Sequence, residues 1–333
     1  DVVDRGPYSI ELLLILAKLK VENPNRVYII NGNHEDKQLY DRYHLGEELT
    51  NEEFNKSLIH KFLSKLPVVI FLKFKGDVKW FQLCHGGIDE TMYTKTLCKP
   101  YGKIPENQID MLISTLSEIK SYNFNGLKWG DFNQDLNTIQ KSNRGPVFNY
   151  TETKKYLDCN SLYSIISGHQ DFVPFAILSD PQKKIQEGFK KCTDYGLYCL
   201  EDEQLQIILN PTEDFTVVVT STATESKNIP FDTYLTLSKS NEHQLKVHKF
   251  RTNENRHGVQ KGGASSSTSF NANATAWTPQ PIDKDILLKE LEKLQKLLEN
   301  ESKFGDFEGV PEIYFRYDEV NNVFLNYENI NKY

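Results

Sequence analysis

The sequence predicts an α/β fold, and three observations carry that prediction. Apolar residues at helical spacing alternate with short apolar runs through the first half of the chain. The second half is richer in strand-like segments. Polar, glycine-flanked motifs stand where the apolar segments turn into loops, the usual place for a ligand in an open α/β sheet.

The elements follow in order. Pro7 suits a first helical turn, and Ile10, Leu13, Leu14, Ala17 and Val21 keep a helical rhythm, with Lys18 breaking the stripe. Asn23-Pro24-Asn25 is a turn, and Arg26 to Ile30 reads as a buried strand. Gly32-Asn33 ends it and His34 opens another helix. A further helix is expected over Asn51 to Leu63, capped by Thr50 or Asn51. Val68 to Phe74 and Lys79 to Cys84 form a hairpin about Lys75-Gly76-Asp77. Glu106 to Ile119 is helical. Lys128 to Asn133 and Asn143 to Asn149 read as loops with aromatic anchors, and Leu162 to Ser167 as a strand running into Gly168-His169. Asp180 to Asn210, lysine-rich, reads as a mobile insertion. Phe215 to Thr220, Phe231 to Leu237 and Gln244 to Phe250 are strands.

Beyond residue 251 the composition shifts. Residues 252–282 hold a Gly-Gly-Ala-Ser-Ser-Ser run and read as a flexible linker. Residues 283–303 carry Ile286, Leu287, Leu291, Leu294, Leu297 and Leu298 on one side, an amphipathic helix that docks on the main domain or on a protein partner. Residues 304–333 form an aromatic, acidic tail with the pattern of a hairpin.

Composition narrows the function classes. At 333 residues, with 38% hydrophobic and 26% charged residues, the chain can bury a large core. A net charge of -7 argues against a general nucleic-acid or membrane-surface binder. The longest early apolar run, Leu12 to Ala17, is too short to span a bilayer. The five cysteines are scattered without a CxxC pair and read as reduced thiols in a cytoplasmic compartment, with Cys192–Cys199 pairing in an oxidising setting as the alternative; an exported effector acting in a host cytosol is compatible with the reduced reading.

Four loop motifs carry the chemistry: Asp1-Val2-Val3-Asp4-Arg5-Gly6, Gly32-Asn33-His34-Glu35, His85-Gly86-Gly87 and Gly168-His169-Gln170. Asp1, Asn33, His85 and His169 are the candidate metal ligands. Two oxygens and two imidazole nitrogens suit Mn, Fe or Zn better than Ca, and a structural zinc site would favour thiolates.

Together these motifs resemble the metallophosphatases of the PPP family, the protein serine/threonine phosphatases, over roughly Asp1 to Phe250. The resemblance implies a central mixed β-sandwich flanked by helices, spanning 1–251 here, with the helical and aromatic extension after it. It implies two divalent ions, with Asp1 bridging them and Asn33, His85 and His169 completing one shell. It implies a water on the metal attacking phosphorus in line, with His34 as the general acid, Asp4 orienting that imidazole, and Arg5 and Arg144 clamping the phosphate. Trp129-Gly130-Asp131 resembles the family's Trp-Ser-Asp loop, which puts Asp131 at the site edge.

Two departures stand out. The family's GDxHG motif, which supplies an Asp and a His to the second ion, has no counterpart in the sequence. The chain starts inside a motif without a Met, so an upstream segment is expected to have carried it; as given, the second ion has only Asp1. The family's Ser-Ala-Pro-Asn-Tyr loop is replaced by Val219-Thr220-Ser221-Thr222-Ala223-Thr224, which alters the substrate wall. The function expected is a metal-dependent phosphoprotein phosphatase acting on phosphoserine or phosphothreonine, with phosphotyrosine open, on protein or peptide substrates. A dinucleoside-polyphosphate-type phosphoesterase and a non-catalytic scaffold are the alternatives.

Overall fold

The computed structural model describes residues 1–5, 8–23, 26–51, 56–64, 66–96, 125–170, 174–192, 195–200, 206–211, 213–220 and 231–251, together with 289, 293, 312–314, 317–318 and 323–324. The linker, most of the 283–303 segment, and the helix expected at Glu106 to Ile119 lie outside them. Among the described residues no helix is long and apolar enough to cross a membrane.

A mixed sheet organises the molecule. The β1–β2 hairpin (Val69–Lys73, Trp80–Cys84) forms as the alternation predicts, with Gly76 supplying the positive φ of 82° at its turn. Strand β6 (Leu162–Ser167) lies parallel to β2, and β11 (Val217–Thr220) lies parallel to β6. Their carboxyl ends therefore point the same way and deliver the loops at His85 and His169 to one edge. Antiparallel strands extend the sheet: β7 (Phe175–Leu178), β9 (Tyr198–Leu200) and β8 (Phe189–Lys191) on one side, β14 (Glu312–Tyr314) beside β1 on the other.

Alternation along the strands sets the two faces. Val217, Val219, Ala176 and Leu178 face a core shared with Met92, Leu127, Tyr156 and Leu157, so helices α5 (Glu90–Thr96), α6 (Asn125–Trp129) and α7 (Tyr150–Cys159) cover that side. Val218, Phe175 and Ile177 face a second core with Leu209, Phe231, Leu245 and Val247. Those belong to a three-stranded sheet of β10 (Ile207–Leu209), β13 (His243–Arg251) and β12 (Phe231–Lys239). The result is a β-sandwich with helices on the outer face. A third core joins Ile70 to α1 (Ser9–Glu22), α2 (Lys37–Tyr40), α3 (His44–Asn51) and α4 (Lys56–Ser64).

Four expectations need correction. Among the described residues Arg26 to Ile30 joins none of the sheets; its four apolar side chains are only half-buried, and a strand exists only where a neighbour completes its ladder. Thr50 lies within α3 rather than ahead of a helix: its hydroxyl donates back to Gly46 O at 2.7 Å and accepts from Lys56 Nζ at 3.2 Å. The expected loops at Lys128 to Asn133 and Asn143 to Asn149 contain α6 and two short paired strands, β3 (Asp131–Phe132) and β5 (Pro146–Phe148), the latter also pairing β4 (Gln140–Lys141).

The Asp180 to Asn210 segment is the fourth. It supplies β8, β9 and β10, and Cys192 is disulfide-bonded to Cys199 with Cα atoms 5.8 Å apart, where the sequence suggests reduced thiols. Leu197, Cys199 and Leu200 of this lysine-bearing stretch are buried in the core. Closing so short a loop is worth about 2.5 kcal/mol. Treatment with dithiothreitol is expected to lower the unfolding free energy by at least that amount, and, because Cys159 is also disulfide-bonded, a Cys192→Ser variant is expected to keep only part of the sensitivity to the reductant.

Candidate metal and phosphate site

The four loops meet at the carboxyl edge of β2 and β6. A Gly168 N–H to His85 O bond of 2.9 Å ties the two histidine loops together. Gly86 is required there, because a Cβ would lie 2.7 Å from backbone atoms of Lys128 and Trp129. The turns are strained where the chemistry sits: Asp4, Arg5 and His169 adopt φ of 69°, 55° and 64°, a region non-glycine residues enter at a cost.

The four candidate ligands converge. His85 Nε2 lies 2.8 Å from Asn33 Oδ1 and 3.1 Å from Asp1 Oδ2. His169 Nδ1 lies 3.1 Å from the same Asn33 oxygen and 3.2 Å from His85 Nε2. Burial pushes the His85 imidazole well below its ordinary range. Burial, reinforced by charge at His85 and Arg144, pushes His169 down to about 2. Both rings are therefore neutral, the form that ligates metals.

Among the described residues no group of three or more His, Cys, Asp or Glu stands at ion-holding spacing. The two imidazoles instead close on the Asn33 oxygen, with Asp1 against His85. The chemistry of the quartet nevertheless fits one divalent ion. Neighbouring donors in an octahedral shell with ~2.1 Å bonds sit about 3 Å apart, and the contacts above span 2.8 to 3.2 Å. Asp131 adds a buried Oδ1 with no hydrogen-bond partner among the described residues, 3.8 Å from His169 Nε2. Burial lifts its carboxyl to about 6, with Arg144 pulling the other way.

Beside the quartet, His34 Nδ1 sits 2.8 Å from Asp4 Oδ2, and both side chains are almost wholly buried. The carboxylate holds the ring proton on Nδ1. The backbone N–H of His34 donates to Asp1 Oδ1 at 3.1 Å, linking this pair to the ligands. Arg144 Nη2 donates to His169 Nε2 at 2.8 Å. That contact needs the tautomer with its proton on Nδ1, so an ion on Nδ1 and this arginine contact exclude one another. Arg5 is exposed, and its charge helps depress both His85 and His169, which places it within electrostatic reach. All nine residues singled out in the sequence thus lie at or beside one edge of the sheet.

The sequence profile of the calcineurin-like phosphoesterases (Metallophos) matches residues 1–171. The chain belongs to that family. Among relatives of this phosphoesterase, it is 27% identical over 172 residues to the serine/threonine-protein phosphatase PP2A-like PPG1 of Candida albicans, a match covering 51% of this chain and 38% of that protein. It is 27% identical over 231 residues to the serine/threonine-protein phosphatase 4 catalytic subunit of Kluyveromyces lactis, covering 65% of each. In both cases the chain spans less than two thirds of its relative. A protein serine/threonine phosphatase from Saccharomyces cerevisiae, described as similar to human phosphatase PP5, superposes with a TM-score of 0.46 at 17% identity, covering 76% of this chain and 69% of that one.

Three supporting residues escape a reading by sequence motif. Glu35 is buried, and its carboxylate accepts from Val2 N and Gly32 N at 2.6 Å each and from Val3 N at 3.2 Å, stapling the two acidic loops. Gln170 pairs both its amide atoms with the backbone of Phe132, at 2.9 and 3.0 Å, fixing the strand that carries Asp131. Lys128 reaches Asp36 at 2.5 Å and ties the His34 loop to the Trp129 loop. Glu35 and Gln170 are visible in their motifs, but their partners are backbone groups in other loops, which side-chain patterns do not reveal.

Proposed function

We propose that this phosphoesterase is a metal-dependent phosphoprotein phosphatase hydrolysing phosphomonoesters of serine or threonine. The observation that carries the reading is the buried Asp4–His34 pair at 2.8 Å, standing beside four convergent metal-type donors. That the relatives are named serine/threonine phosphatases supports a protein substrate.

Asp1, Asn33, His85 and His169 would hold a divalent ion of the Mn, Fe or Zn class, which supplies Lewis acidity and lowers the pKa of water bound to it. Arg144 and Arg5 bind the phosphate oxygens; their forked, permanently charged donors match its geometry. Water adds to phosphorus as the bond to the leaving oxygen breaks. His34 gives its Nε2 proton to that oxygen, so the alcohol leaves neutral, and Asp4 stabilises the charged ring from the Nδ1 side. Asp131 bounds the site beside His169.

The test is phosphate release from p-nitrophenyl phosphate and from a phosphoserine peptide with added Mn. Release is expected to be abolished by chelation and lowered about 100-fold or more by His34→Asn on the peptide, with a smaller loss on the aryl ester, whose leaving group needs less protonation. A wild-type rate indistinguishable from that of His34→Asn would sink the proposal.

A further inference from the structure

Asp4 and Arg5 hold consecutive left-handed conformations without being glycines, so something outside their own turn must keep them there. Helix α1 begins just after them, and its N-cap residue, Tyr8, makes no side-chain capping bond. The first N–H groups of a helix have no partner within it. Here they are met from far along the chain: Ser9 N donates to Glu48 Oε1 and Ile10 N to Glu48 Oε2, each at 3.1 Å. Glu48 lies on α3, one turn after Leu45, and Leu45 N donates to Asp4 Oδ1 at 2.9 Å. The capping is reciprocal. Asp4 satisfies a first-turn donor of α3, while a carboxylate of α3 satisfies two first-turn donors of α1. Ser9 closes the loop, its Oγ accepting from Asp4 N at 3.3 Å. Each carboxylate also meets the positive end of a helix dipole.

We propose that Glu48 is a positioning residue for the Asp4–His34 pair, acting through this double cap to hold the strained turn that carries Asp4 and Arg5. The geometry stands without any reaction; its catalytic consequence rests on the phosphatase reading above. Glu48 touches no reacting group, so it governs how much of the population has the His34 ring correctly held. Removing it frees the first turn of α1, lets the left-handed residues relax, and loosens the carboxylate against the ring.

The test follows the His34 ring in the metal-free, substrate-free protein by 15N–1H NMR, with Glu48→Ala and Glu48→Gln. Glutamine keeps the shape but turns an NH2 group toward one of the two donors. In wild type the Nδ1–H resonance of His34 is expected to be protected and far downfield, with the ring nitrogens at the shifts of a single tautomer. In both variants it is expected to broaden or vanish, more in Ala than in Gln, while far-UV circular dichroism stays native. On phosphoserine peptide kcat falls about 10-fold with KM unchanged. An unaltered His34 resonance in folded Glu48→Gln overturns the assignment, and Gln decides the matter if Ala does not fold. A shifted resonance in a protein that releases no phosphate upholds the positioning role and overturns the phosphatase reading instead.

Discussion

Replacing Asp4 by asparagine is expected to lower kcat on a phosphoserine peptide by a factor of about 100 to 10,000 while the protein stays folded. Asp4 Oδ1 accepts from Leu45 N at 2.9 Å and Oδ2 from His34 at 2.8 Å. Asparagine has a single oxygen, and the Leu45 N–H takes it. The NH2 group then faces His34 Nδ1, which must become an acceptor. The ring proton moves to Nε2 in a neutral imidazole, a far weaker acid than the imidazolium that the carboxylate stabilises. The loss should be greatest where the leaving group is poorest. A ratio of kcat/KM between aryl phosphate and phosphoserine that rises in Asp4→Asn is the expected signature. An equal loss on both substrates would assign Asp4 to scaffolding alone. Denaturation midpoints of the two proteins control for stability.

Asp77→Ala is expected to cost about 3 kcal/mol in urea unfolding, although it lies at the opposite end of β2 from His85. The side chain of Asp77 is buried at the tip of the first hairpin, where it pairs with Lys239 and sits 2.7 Å from His243 Nε2. The His243 ring is packed among Phe74, Phe81 and Tyr163, with centroids 4.6 to 5.5 Å away. Truncation leaves a lysine and a histidine without their carboxylate in that setting, and an unpaired polar group costs most where water cannot replace the partner. Asp77→Asn keeps a hydrogen-bond acceptor and is expected to lose less. Equal stability of wild type and Asp77→Ala would show that the two hairpin tips are held by packing alone.

These two residues mark how far sequence reasoning reaches. Asp4 was legible because its chemistry is local: an acid, a glycine-flanked turn and a second motif with histidine carry the same meaning wherever they occur. The meeting of the candidate ligands His85 and His169 was legible for a related reason, since each stands just after an apolar strand, and parallel strands bring their carboxyl ends to one edge. The hairpin around Gly76 was legible because period-two alternation and a turn residue suffice to specify it, and β12 and β13 were legible as strands from their alternation.

Asp77 was read only as part of a turn. Its burial depends on the β12–β13 tip arriving against it, 162 residues later in sequence at Lys239, and no local pattern encodes such a contact. The same reason applies to Arg26–Ile30, whose apolar residues satisfy a strand's side-chain pattern while the sheets form elsewhere. It applies to Asp180–Asn210, where charged residues on the surface hid the buried Leu197, Cys199 and Leu200.

By itself, then, the sequence determined the α/β class, the motif residues and their order, because side-chain type and short periodicities are written along the chain. Only the tertiary structure decided that His85 and His169 share one contact with Asn33 while Asp1 meets His85, that Asp4 is held by Leu45, and that Glu48 caps a helix 39 residues before it. The reason is the backbone. Its N–H and C=O groups are the same at every position, so which of them a carboxylate reaches is settled only when distant segments are packed together.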